Sequence, residues 1–147
     1  MDLSNFKNSD WDVAIKILDQ RLTERYILPI EVLQTAENEK PAYNKKFGFT
    51  VLAIDCLLIE TLQSFYEGLT DSNRKSRQLF DRFFQQKDNF KYLFSDSADR
   101  KYFYDNFRCG ILHQAQTFSK AKIWAIGTLM VKSGNQITII EIYFMML

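Results

Sequence analysis

The chain has 147 residues, the size of one domain, and 46% of them are hydrophobic, which is enough to bury a sizeable core. Thirteen phenylalanines against 5 glycines and 2 prolines exclude a turn-rich all-β protein and favour long helices. A formal net charge of +1 excludes a protein that holds nucleic acid by bulk charge alone, while leaving room for a local basic site.

In chain order, the residues read as four helices and a β-rich tail, all within one domain, with the bundle over residues 10–120 and the tail over 122–147. The first ten residues lack the charged and apolar regions of a secretion signal, so a cytoplasmic location is expected. The first helix is predicted over residues 10–36, capped by Ser9 or Asp10 and kinked at Pro29, with a loop over 37–44. The second, over 46–67, is apolar in nearly every direction and belongs in the centre of a bundle, with Gly68 as its stop. It carries Asp55 and Glu60 and falls short of the run of about 20 apolar residues that a membrane span needs, so no membrane contact is expected. The third helix, over 75–94, is bent near Lys87-Asp-Asn89 and buries a row of phenylalanines.

Ser95-Asp-Ser-Ala-Asp99 opens a fourth helix over 98–118. Its apolar arc holds Phe103, Tyr104, Phe107 and Ile111, with Arg108 at the border and Asn106, Cys109, Gly110 and His113 on a small, semi-polar face. Asp96, Asp99 and Asp105 read as caps and solvated charge. Residues 123–131 and 137–146, split by Lys132-Ser-Gly-Asn-Gln136, read as a β-hairpin, with a short terminal helix as the alternative for the end. The last strand is too apolar to stand as an open edge and is expected to pack on the bundle or on a second subunit. Its abrupt apolar finish raises the question of whether Leu147 is the natural end.

One stretch carries chemistry. Tyr104-Asp-Asn-Phe-Arg108-Cys-Gly-Ile-Leu-His113 places an obligate cation five positions before the chain's one histidine. An imidazole can take the proton of an RNA 2′-hydroxyl or protonate a leaving 5′-oxygen, and a guanidinium can hold a phosphate, with no metal required. One histidine and two distant cysteines, Cys56 and Cys109, cannot form a tetrahedral zinc shell, and no cofactor motif is present; both thiols read as reduced and mostly buried. In a straight helix, positions five apart diverge by roughly 140° and about 7.5 Å. Two routes bring the pair together: the helix ends or bends near His113, or two copies meet about a two-fold axis. Small Cys109 and Gly110, on the histidine side, favour the second route.

Arg108-x4-His113 late in the last long helix, with Leu58-Ile-Glu60-Thr-Leu-Gln-Ser-Phe-Tyr-Glu-Gly68 on the central helix, resembles the HEPN superfamily, in particular its small bacterial and mobile-element proteins. The resemblance covers about residues 10–120 and implies a mainly α, four-to-five-helix bundle, here extended by the β-hairpin. It implies a metal-independent endoribonuclease of a defence or toxin–antitoxin system. Such a protein acts as a homodimer on RNA and has an antitoxin or other protein as a further partner. By the resemblance, Arg108 and His113 would be catalytic and Glu60, Asn106 and Cys109 supporting. The pattern departs from the family at Cys109, where a polar residue often follows the arginine, and at Ala115, where one toxin branch has tyrosine. Arg100, Lys101, Lys120 and Lys122, at the ends of the fourth helix, are the expected RNA backbone contacts.

Two plainer readings stand beside this one. Arg108 can be the structural partner of Glu60, and His113 a helix-terminal histidine; the module would then bind RNA, a nucleotide or a protein without catalysis. Alternatively, the apolar tail can join the chain to a larger complex.

Overall fold

The computed structural model describes residues 7–39, 47–124, 130–134 and 136–140. The first helical stretch is α1 (Asn8–Leu22) and α2 (Leu28–Glu39), joined by a π-helical turn at Thr23–Ile27. Its N-cap is Lys7 rather than the expected Ser9 or Asp10, and Asp10 accepts the Lys7 backbone N–H at 2.9 Å. Pro29 accounts for the π turn. In a regular helix its ring would strike the carbonyl of Arg25, and it has no N–H to donate; a widened turn just before it relieves both problems. The predicted kink thus takes the form of a π turn, and the helix runs through residues 37–39, where a loop was expected. The rest of that loop lies outside the described residues.

The central helix is α3 (Gly48–Tyr66). Gly68, at φ +65°, ends it in the left-handed region that favours glycine, and its N–H donates to the Phe65 carbonyl at 3.0 Å. Contrary to the expectation of all-round burial, α3 buries one face (Val51, Leu52, Asp55, Cys56, Ile59, Gln63) and leaves Phe49, Leu57, Leu62 and Phe65 exposed. By length and composition alone this 19-residue helix is long and apolar enough to cross a membrane, contrary to the sequence reading, though a largely buried core helix passes the same test.

The predicted third helix is broken where expected. Lys87, in an extended conformation, separates α4 (Ser76–Gln86) from α5 (Asp88–Lys91). Phe80, Phe83, Phe84 and Phe90 from these two elements and Phe94 just after α5 meet Phe103 and Phe107 in a buried aromatic cluster. Phe84 stacks on Phe94 at 4.2 Å between centroids and meets Phe103 edge-on at 5.0 Å.

The fourth stretch is α6 (Ser97–Phe103), a π turn at Tyr104–Arg108, and α7 (Cys109–Gln114). Asp96 caps it by accepting the Ala98 N–H at 2.8 Å. Asp99 is not solvated charge, as expected, but is buried and ion-paired with Lys132. The stretch stops at Ala115, which sits at φ 53°, short of the predicted end at residue 118.

The tail is a three-stranded sheet, β1 (Lys122–Trp124), β2 (Met130–Ser133) and β3 (Gln136–Ile140), in the order β1-β3-β2. The expected hairpin exists between β2 and β3, with Ser133 opposite Gln136 and Met130 opposite Ile139. Residues 123–131, however, are not one strand. β1 is separate and runs parallel to β3, pairing Lys122 with Thr138 and Trp124 with Ile140. The apolar β3 therefore lies in the centre of the sheet, which satisfies both of its edges without a second subunit. Ile137 and Ile139 join Phe80, Phe103 and Phe107 in one core, so helices and sheet share their interior. Residues 125–129 and the tail reading for 141–147 lie outside the described residues.

Candidate functional site

Glu60 and Asp55 are the two charged residues of α3. A carboxylate on a core helix needs a partner. For Glu60 that partner is Arg108, whose Nη2 donates to Oε2 at 2.9 Å; each side chain is 14% exposed. The same oxygen accepts the Ser76 hydroxyl at 2.6 Å, so the start of α4 is fastened to the pair. Burial would raise the Glu60 carboxyl, but hydrogen bonds from Ser76, Ser72 and Arg108 outweigh it and hold the group below its ordinary range. Burial likewise opposes the Arg108 charge, and the Glu60 bond, with the nearby Tyr104, more than restores it. The Arg108 guanidinium carbon also lies 5.5 Å from the centre of the Tyr104 ring, one helical turn earlier.

The other terminal nitrogen of the guanidinium, Nη1, reaches His113 Nε2 at 3.1 Å within the same chain. A guanidinium only donates, so in this arrangement Nε2 accepts and the neutral ring carries its hydrogen on Nδ1. Arg108 is half-buried and His113 is exposed. The pair therefore places a fixed cation beside an exposed imidazole whose one acceptor nitrogen is bonded to that cation.

The end of the helix brings His113 to this place. Gly110 is buried, and a Cβ there would run into the carbonyl of Gln116. With no Cβ, the chain can turn back on α7: Ala115 N–H donates to the Ile111 carbonyl at 3.1 Å, and Phe118 N–H to the Asn106 carbonyl at 3.1 Å. The Tyr102 hydroxyl fastens the returning strand by donating to the Ser119 carbonyl at 2.9 Å. His113 thus occupies a last helical turn, and the long arginine side chain spans the remaining gap. Of the two routes open to the sequence, the ending helix is the one seen. Gly110 no longer argues for a second copy, because its missing side chain makes room for the chain's own backbone.

The other expected site residues divide. Glu60 joins the pair. Asn106 is buried and its amide donates to the Tyr102 carbonyl at 3.0 Å, which serves the helix. Cys109 is a half-buried free thiol, and Cys56 a fully buried one whose pKa is pushed well up by burial and by the neighbouring Asp55. Arg100 is structural: its Nε donates to Asp81 at 2.6 Å and its Nη1 to the Phe94 and Ser95 carbonyls at 2.7 and 2.8 Å. Lys101 is ion-paired with Asp105, while Lys120 and Lys122 are exposed. Sequence reading missed Ser76 and Tyr104. Tyr104 was legible from its spacing of four before Arg108 on one helix; nothing in the sequence tied Ser76 to Glu60.

A scan against protein-family models and searches of curated proteins and of solved structures found no match to this chain.

Proposed function

We propose that this chain is a metal-independent endoribonuclease of the HEPN type. The observation that carries the proposal is the contact between Arg108 and His113, 3.1 Å apart with the arginine anchored on Glu60. A scissile phosphate entering beside the pair would exchange the imidazole for a non-bridging oxygen on the guanidinium. That exchange frees Nε2 to take the 2′-hydroxyl proton as the 2′-oxygen attacks phosphorus. The 5′-oxygen leaves with a proton from an imidazolium, and Arg108 offsets the charge of the transition state. A chain with one histidine has one of these proton carriers, and a two-fold partner would supply the second. A homodimer, a cytoplasmic location, and a defence or toxin–antitoxin setting with a protein antitoxin all belong to this proposal.

The test is cleavage of single-stranded RNA by the purified chain in EDTA. The wild type is expected to cleave; His113→Ala is expected to be inactive while keeping its melting temperature. RNA left intact by a folded wild type would remove the nuclease reading. One observation favours a second reading, a HEPN-like binding module without catalysis. Both terminal nitrogens of Arg108 already have protein partners, and its Nε is buried. On that reading Arg108→Ala lowers stability, and there is no cleavage to lose.

A further inference from the structure

A groove of about 720 Å³ lies between α4 and α6, and among its lining residues are Arg77, Arg82, Arg100, Lys101, Asp81 and Tyr104. Four cations and one carboxylate line it; Asp81 is engaged by Arg100 at 2.6 Å, Lys101 is paired with Asp105 and Arg82 with Glu67, which leaves Arg77 as the lining cation with no carboxylate partner among the described residues. Arg82 is braced by a two-pronged bond to Glu67, through Nε at 2.6 Å and Nη2 at 2.7 Å, which leaves Nη1 uncommitted. Arg100 is braced through Nε and Nη1, which leaves Nη2. Arg77 is exposed and forms no ion pair among the described residues. Two of the three arginines, Arg82 and Arg100, are thus held in place with an N–H group that has no protein partner among the described residues, Arg77 stands free beside them, and fixed guanidiniums suit phosphate oxygens better than a flexible lysine surface does.

The groove also reaches the site. Tyr104 lines it and touches the Arg108 guanidinium, 5.5 Å from ring centre to Cζ. Arg77 follows Ser76, which holds Glu60. We infer that this groove binds the phosphate backbone of a single RNA strand and leads it to Arg108 and His113. The identity of the polymer rests on the nuclease reading; the anion-binding character rests on the groove. Its volume is in the range of about 300–1,000 Å³ typical of ligand clefts. Arg77, absent from the expected RNA contacts, becomes the principal one, and Arg100 becomes part of the wall.

The probe is a fluorescein-labelled single-stranded oligoribonucleotide, titrated in EDTA against the full chain carrying His113→Ala, so that binding is read without cleavage. Adding Arg77→Glu and Lys101→Glu is expected to weaken binding by about tenfold or more. The slope of log affinity against log salt should become shallower by about 1.4, or about 0.7 per lost phosphate contact on a single strand. Arg77→Glu alone, at an exposed position without an ion-pair partner, keeps the fold and should give about half the change in slope. Unchanged affinity and slope in both variants, or no binding of the parent at low salt, would overturn the groove. The two proposals fail separately. Binding through the groove without cleavage by the wild type sinks the nuclease and keeps the groove. Cleavage whose KM ignores Arg77→Glu sinks the groove and keeps the nuclease.

Discussion

The described residues contain two π turns, which share a geometry and differ in cause, burial and surroundings. Thr23–Ile27 precedes Pro29, lies on the outside of the protein and contains no buried residue. Tyr104–Arg108 precedes no proline, buries Asn106 and Phe107, and ends on the arginine of the candidate site. The first is a local answer to a residue that cannot continue a helix. The second has no local cause. It is held by what surrounds it: Phe103 and Phe107 stacked in the aromatic core at 5.4 Å, the returning strand bonded to the Asn106 carbonyl, and Glu60 gripping Arg108. A π turn that only the tertiary structure supports can place a side chain that α-helical spacing would misplace, and such turns are frequent at functional sites.

If that contrast is right, changes around the second turn have large effects and changes around the first have small ones. The largest, on the proposed nuclease reading, is His113→Ala, expected to reduce RNA cleavage in EDTA by about 10²–10⁴-fold, the usual worth of a positioned acid or base. Its melting temperature should match the parent, because His113 is exposed. Next is Arg108→Ala, which strands Glu60 in a mostly buried position; a loss of about 2–3 kcal/mol, between the values for exposed and buried pairs, should appear in urea unfolding. Glu60 sets the sign of the pH dependence here. Its folded pKa lies below the ordinary value of 4.5, so the unfolded chain binds the proton first as pH falls. Its stabilisation is therefore complete above about pH 4.5 and is lost as pH drops through the folded value. Glu60→Gln should flatten the stability profile in that acid window, and an unchanged profile would contradict the pairing.

Gly110→Ala follows. Alanine gains about 1 kcal/mol of helix propensity, but its methyl group meets the backbone of Gln116, which cannot swing aside as a side chain can. A net loss of about 1–2 kcal/mol is expected, with faster amide exchange over residues 115–121 as the returning strand lifts. The smallest effect is that of Pro29→Ala, within about 1 kcal/mol, since it restores a backbone donor at a half-buried position next to a turn that contains no buried residue. A loss at Pro29 as large as that at Arg108 would erase the distinction between the two turns.

Much of this was legible without coordinates, for identifiable reasons. Glu60 pairs with Arg108 because a charge on an apolar helix needs an opposite charge, and Arg108 borders the apolar arc of the fourth helix. The break at Lys87, the stop at Gly68 and the Asp96 cap follow from local chemistry. The misjudged features depended on non-local facts. Asp99 looked solvated because its partner, Lys132, is 33 positions away. The sheet order was hidden because a parallel neighbour joins β3 from before the hairpin. Arg100 looked free because its acceptors are Asp81, 19 positions away, and two carbonyls, which any residue supplies.

By itself, the sequence determined that this is a helical protein with a phenylalanine core and a β-rich tail, and that one arginine and one histidine are its candidate chemistry. These properties follow from composition and short-range periodicity, which act through neighbours along the chain. Only the tertiary structure decided that the two side chains meet in a single copy. That meeting requires a helix to stop at Ala115, and the stop is made by backbone packing onto Gly110 from the loop that turns back after the helix.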